Sequence, residues 1–192
     1  MLRVSAWSAA ILTVLSPAAA AGAPPDEAVP THPEDAIVLD LGQHVVGVGY
    51  QRVVSPFASL QAAADYYQPW TQNSDFLGLS GEANKGGDLK GFVVRTRVFV
   101  HPMGHAPEGL WISPYGQTGI GWAFRDGYAG RIAGTVYALG ASVGYTVLLR
   151  RSILLGGGLG AQYHAARFPG GGAPPSFSRL YPQIDIQVGW AF

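Results

Sequence analysis

Few residue combinations in this chain have the types and spacing for chemistry. Gly156, Gly158 and Ala161 form a G-x-G-x-x-A string, the spacing with which a strand-to-helix turn cradles a dinucleotide pyrophosphate. That use needs a helix after the glycines. Gln162, Tyr163 and His164 instead prolong an alternating pattern toward Pro169, so small residues clearing a crowded interior explain the string better. His101 and His105 stand four apart, like metal ligands on a helix, but Pro102 and Gly104 between them prevent that helix. They read as turn histidines. His164 with Ser176 or Ser178 and an acid could be sketched as a nucleophilic hydrolase of the lipid A type, yet no spacing signature ties these residues together. The chain has no cysteine, which excludes a thiol nucleophile, a thiolate metal site and a disulfide scaffold. No enzyme activity, metal or cofactor is expected.

A second constellation consists of charges. Arg95 and Arg97 lie two apart, so on a strand they project to one side, while Phe92, Val94, Val98 and Val100 take the other with Thr96. Asp65 and Asp185 fall on the polar side of their own segments. Charges removed from water are costly unless paired. The expected arrangement is a polar network of Asp65, Arg95, Arg97 and Asp185 filling a narrow interior, with Asp65 the nearest partner in topology and Asp185 a second across the lumen. An ion or proton path along the same groups is the functional variant.

The elements that must position these charges are strands. Ile184, Ile186, Val188, Trp190 and Phe192 alternate with Gln183, Asp185, Gln187 and Gly189. Leu60, Ala62, Ala64 and Tyr66 oppose Ser59, Gln61 and Asp65; Leu139, Val143, Tyr145, Val147 and Leu149 oppose Gly140, Ser142, Gly144 and Thr146. Between 36 and 54 the apolar parity switches from odd (Ile37, Leu39, Leu41) to even (Val46, Val48, Tyr50). A hairpin or a bulge at 42–44 accounts for the switch. With a hairpin there are eight strands, at about 36–41, 45–54, 57–69, 89–101, 109–124, 132–149, 152–165 and 180–192. Short connections then fall on one rim (55–56, 101–108, 150–151). Long ones fall on the other (70–88, 125–131, 167–179), with 42–44 as a short fourth.

Composition decides which face looks outward. Charged residues make up 12% of the 192, with 12 basic and 12 acidic side chains in balance, whereas 48% are hydrophobic. Balanced, sparse charge excludes a disordered polyelectrolyte and a nucleic-acid-binding surface. A soluble barrel would carry Lys and Glu on its outer face; only Lys85 and Lys90 are lysines, and the polar faces are Gly, Ser and Gln. The pattern is that of a transmembrane barrel, apolar toward lipid and polar toward the lumen. The fold class expected is therefore all-β: a single antiparallel up-and-down transmembrane β-barrel of about eight strands. The helical rival is the uncharged run 132–149, which carries Gly140 and Gly144 in a close-packing motif and precedes Arg150 and Arg151. Its glycine and threonine content makes it a weak span.

The N-terminus reads as a signal peptide over 1–21, with Arg3, an apolar stretch and Ala19, Ala20 and Ala21 before Gly22. A Pro- and acid-rich leader follows at 22–35, and the barrel domain at 36–192.

The terminal strand, Val188, Gly189, Trp190, Ala191 and Phe192, resembles the C-terminal strand of Gram-negative outer-membrane β-barrels, which the barrel-assembly machinery recognises. Three internal phrases resemble a family of small outer-membrane barrels of unknown function. They are Val48-Gly49-Tyr50-Gln51-Arg52 leading to Ser55-Pro56, Gly109-Leu110-Trp111-Ile112-Ser113-Pro114-Tyr115, and Val143-Gly144-Tyr145. Where that family usually has an acid after the second-strand tyrosine, this chain has Gln51. The resemblance implies architecture and address, with Trp190 and Phe192 as the assembly signal, and carries no catalytic residues. The expectation is a monomeric bacterial outer-membrane protein in contact with membrane lipid, lipopolysaccharide and the assembly machinery, with a structural or surface-interaction role. A small passive channel through a glycine-lined lumen, and a soluble periplasmic barrel binding an apolar ligand, are the alternatives.

Overall fold

The computed structural model describes residues 33–67, 90–124, 131–168 and 177–192. The expected signal peptide, nearly all of the leader and most of the long connections lie outside the described residues. Eight strands follow in order: β1 (Asp35–Gly42), β2 (Val45–Ser55), β3 (Ala58–Tyr67), β4 (Lys90–Val100), β5 (Gly109–Phe124), β6 (Arg131–Leu149), β7 (Ile153–Arg167) and β8 (Phe177–Ala191). Each pairs antiparallel with its neighbour in sequence, and β1 pairs with β8, closing an up-and-down barrel.

The parity switch near 42–44 is a two-residue hairpin turn at Gln43 and His44, with Gly42 opposite Val45. The run 132–149 is part of β6, paired along its length with β5 and β7, so its glycines serve a sheet and not a helix. Strand β8 begins at Phe177 and β7 reaches Arg167, so the last long connection is shorter than the 167–179 read from the sequence. The β6–β7 turn places Arg150 and Arg151 at φ values of 51° and 60°, the left-handed region that normally favours Gly or Asn.

The two faces of the wall follow from period two. Inward positions hold Asp40, Gln51, Ser59, Gln61, Asp65, Arg95, Arg97, Ser113, Gln117, Ser142, Gln162, Gln183, Asp185 and Gln187, all buried. Outward positions hold the large apolar side chains, with Phe92 63%, Leu139 66% and Leu159 68% exposed. Among the described side chains on the strands, outward charges stand only near the rims: Asp35 and Arg52 at one end, Lys90 and Arg167 at the other. The molecule is thus inverted relative to a water-soluble barrel, whose apolar side chains face inward.

Two apolar clusters lie toward the ends of the interior. Val45, Tyr67, Val93, Val136 and Ala166 pack together at the end of the long connections, with Phe168 against them. Ala36, Val38, Leu154 and Ala191 pack at the short-turn end, with Leu148 against them. The seam at that end is closed by backbone bonds in both directions between Asp35 and Phe192, at 3.1 and 2.8 Å.

Candidate functional site

Between the two apolar clusters lies a charge network. Arg95 and Arg97 project inward from β4, as their spacing requires. Arg97 donates from Nη2 to Asp185 Oδ2 at 2.9 Å and to Ser142 Oγ at 2.9 Å, and from Nε to Ser113 Oγ at 3.2 Å. Its guanidinium also lies over the rings of Phe99 (4.9 Å), Tyr115 (5.1 Å) and Trp111 (5.8 Å). These faces supply cation–π attraction where hydrogen-bond acceptors end. Arg95 reaches three carboxylates: Asp65 at 3.3 Å, Asp185 at 3.4 Å and Asp40 at 3.5 Å. Gln183 Nε2 donates to Asp185 Oδ1 at 2.8 Å and so completes that carboxylate's shell.

The structure brings together all four charges expected from the sequence, with Asp65 beside β4 and Asp185 across the lumen. Asp65 meets Arg95 and not Arg97, and the lumen-crossing Asp185 binds both arginines. Asp40 is the member that sequence reasoning missed. The signal was there: Ile37, Leu39 and Leu41 face outward, so Asp40 faces inward. Its position opposite Gly47, which is in turn opposite Asp65, explains how two carboxylates approach one guanidinium. Any β-carbon at Gly47 would collide with the Asp65 carboxylate.

Glycine plays a second role around Trp111. Its indole lies across the inner faces of Gly144 and Gly158, where a β-carbon at either would overlap the ring. Trp111 Nε1 donates to Thr146 Oγ1 at 2.9 Å, and the ring meets Phe99 edge-on at 5.1 Å. The glycine-lined face is therefore occupied by a buried tryptophan. Gln51, where the resembled family has an acid, donates to Ser59 at 2.8 Å on the adjacent strand.

The remaining candidates separate. His101 is buried in the β4–β5 turn and His105 is exposed. His164 lies at the long-connection end, with Tyr67; Ser176 is outside the described residues and Ser178 falls within β8. Gly156 and Gly158 lie mid-strand in β7, which runs on through Gln162, Tyr163 and His164 to Arg167, so they form no strand-to-helix turn of the kind a dinucleotide needs. Trp190 and Phe192 face outward at the short-turn end, 58% and 59% exposed.

Fold and interior together define a closed eight-stranded β-barrel with an apolar outside and a charged, packed inside. No protein-family model matches the chain, and no curated protein matches it.

Proposed function

We propose that the protein is an outer-membrane β-barrel with a filled lumen, serving a structural or surface-interaction role in the bacterial cell envelope. The observation that carries this reading is the inverted polarity of the strands. A continuous exterior of Ile, Leu, Val, Phe and Tyr side chains is unfavourable in water by roughly 25 cal/mol per Å². The same exterior is at home in lipid. Arg95 and Arg97 take the lumen side, where they avoid the roughly 2–4 kcal/mol that an arginine costs on the lipid face at the midplane. Aromatic side chains cluster toward both rims, as interfacial girdles do: Tyr66, Phe92 and Trp122 stack near one end, and Phe57, Trp190 and Phe192 are near the other.

The alternatives lose support from the interior. A soluble barrel for an apolar ligand needs an apolar cavity, and the middle of the interior here holds Arg, Asp, Gln and Ser. A passive channel needs a continuous wet path. Eight strands leave an interior that side chains just fill, and here Trp111 and the Arg95–Arg97 carboxylate network occupy it. On this reading the short turns face the periplasm and the long connections face outward.

Cell fractionation tests the proposal. The protein should remain with outer membranes after urea and carbonate washes, and the detergent-purified barrel should give no resolved single-channel current in a planar bilayer. Recovery in the detergent-free soluble fraction would overturn the membrane reading, and steady conductance would overturn the filled lumen.

A further inference from the structure

Outward cations on the strands keep different company at the two rims. At the short-turn rim Arg52 Nη1 lies 3.9 Å from Asp35 Oδ1. At the other rim Arg167 ends β7, exposed and on the outward face. Among the described residues no carboxylate comes within ion-pair distance of Arg167 or of Lys90. The Arg167 guanidinium lies instead over the outward ring of Tyr137, 5.7 Å from its centroid. Tyr137 pairs with Ala165 and Thr135 with Arg167, so the arginine stands one step to the rim side of an outward tyrosine. That is the level at which lipid phosphates sit above an aromatic belt.

Beside Arg167 runs a shallow groove of about 510 Å³, lined by Ile120, Ala133, Gly134, Thr135 and Phe168. Two features of the fold open it. Ala133 and Thr135 are small outward residues on β6, between Ile120 and Arg167 on the flanking strands. Strand β6 also begins at Arg131, whereas its pairing with β7 begins at Thr135. Among the described residues no strand covers 131–134 on that side, and such an edge presents backbone N–H and C=O groups. Lys90, in register with Trp122 and through it with Ala133, is the second outward cation of this rim.

We propose that this groove binds a phosphorylated glycolipid of the outer leaflet, the lipid A portion of lipopolysaccharide, with a phosphate on the Arg167 guanidinium and the sugar against the β6 edge. The inference rests on the outer-membrane reading, which turns this rim toward the leaflet built of phosphorylated sugars on acyl chains. A guanidinium seated on a ring keeps its N–H groups for an anion, and its fork matches a phosphate with two parallel bonds. The polar strand edge suits sugar hydroxyls, and Lys90 adds positive charge for a second phosphate. A phospholipid offers one phosphodiester and no sugar to fill the groove.

The probe is bis-phosphorylated lipid A added to the barrel purified in detergent, read by native mass spectrometry. One adduct per barrel is expected. Removing both phosphates from the lipid, or Arg167→Gln, should weaken it at least about tenfold. Arg167→Lys should retain part of the binding, because the charge survives and the fork is lost. Thr135→Trp, which fills the groove without a change of charge, should weaken the adduct as strongly, and Arg52→Gln at the opposite rim should change nothing. Gel mobility of unboiled samples confirms that each variant is folded, and the comparison of lipids on the unmutated protein needs no variant. Equal adducts with phosphatidylglycerol, or an unchanged adduct in folded Arg167→Gln or Thr135→Trp, would overturn the site. A barrel that stays with washed outer membranes yet takes up no lipid A loses this site and keeps the membrane reading; recovery in the detergent-free soluble fraction removes both.

Discussion

Substituting Asp185 by Asn should destabilise the barrel far more than the same change at Asp40, although both carboxylates are buried in one network. Asp185 is the one carboxylate in contact with Arg97 among the described residues, at 2.9 Å, and it also reaches Arg95 at 3.4 Å. Its removal leaves Arg97 with two serine hydroxyls and three ring faces. Stranding one member of a buried ion pair costs about 3–5 kcal/mol; the retained serines place Asp185→Asn near the low end, at about 3 kcal/mol. Asp40 differs. Arg95 keeps Asp65 at 3.3 Å and Asp185 at 3.4 Å when Asp40 is neutralised. The described interior also holds three carboxylates against two guanidiniums, so Asp40→Asn brings it to balance. The expected cost is about 1 kcal/mol or less. Urea titration of the refolded barrel in micelles, read by tryptophan fluorescence and by mobility of unboiled samples on gels, measures both. A double-mutant cycle of Asp185→Asn with Arg97→Met should recover part of the loss. Equal costs at Asp185 and Asp40, or zero coupling in the cycle, would refute the pairing and point to a hydrated lumen.

Gly158→Leu should destabilise by about 1–3 kcal/mol or block folding, because a side chain there meets the Trp111 indole; pairing it with Trp111→Ala should restore part of the stability in the same urea assay. Phe192→Asp should reduce the membrane-inserted fraction in cells, because Phe192 is exposed at the short-turn rim and its backbone closes the seam with Asp35; immunoblots of washed outer membranes measure it. His44 gives a pH dependence of definite sign. Its imidazole titrates near 6.5 in the unfolded chain and near 4 in the folded barrel, so stability is full above 6.5 and falls as pH drops toward 4, by at most about 3 kcal/mol. Unfolding midpoints at neutral pH and at about pH 5 should differ by more in the unmutated protein than in His44→Gln.

Much of the architecture is legible in the sequence because period two is a local property. The alternation around Asp185 and around Arg95 assigns each side chain to a face without reference to any partner, and the parity switch before Val46 announces the first hairpin. The same rule puts Asp40 inside. The β6–β7 turn resists such reading, since Arg150 and Arg151 are not residues that signal left-handed backbone. Register and closure lie beyond local pattern altogether. Which carboxylate faces Arg97 depends on the stagger of eight strands and on β1 meeting β8, so Asp185, 88 residues away in sequence, wins over the nearer Asp65. The glycines of β6 and β7 likewise read as open space until Trp111, from β5, is laid across them. His44, Tyr67, His164 and Tyr181 carry no spacing signature, and only the ring of strands brings four distant residues to one mouth. The sequence by itself determined the inside and the outside of this protein, because each residue's face follows from its neighbours. The tertiary structure alone decided which inward groups touch, because contacts across a lumen are set by closure of the whole sheet.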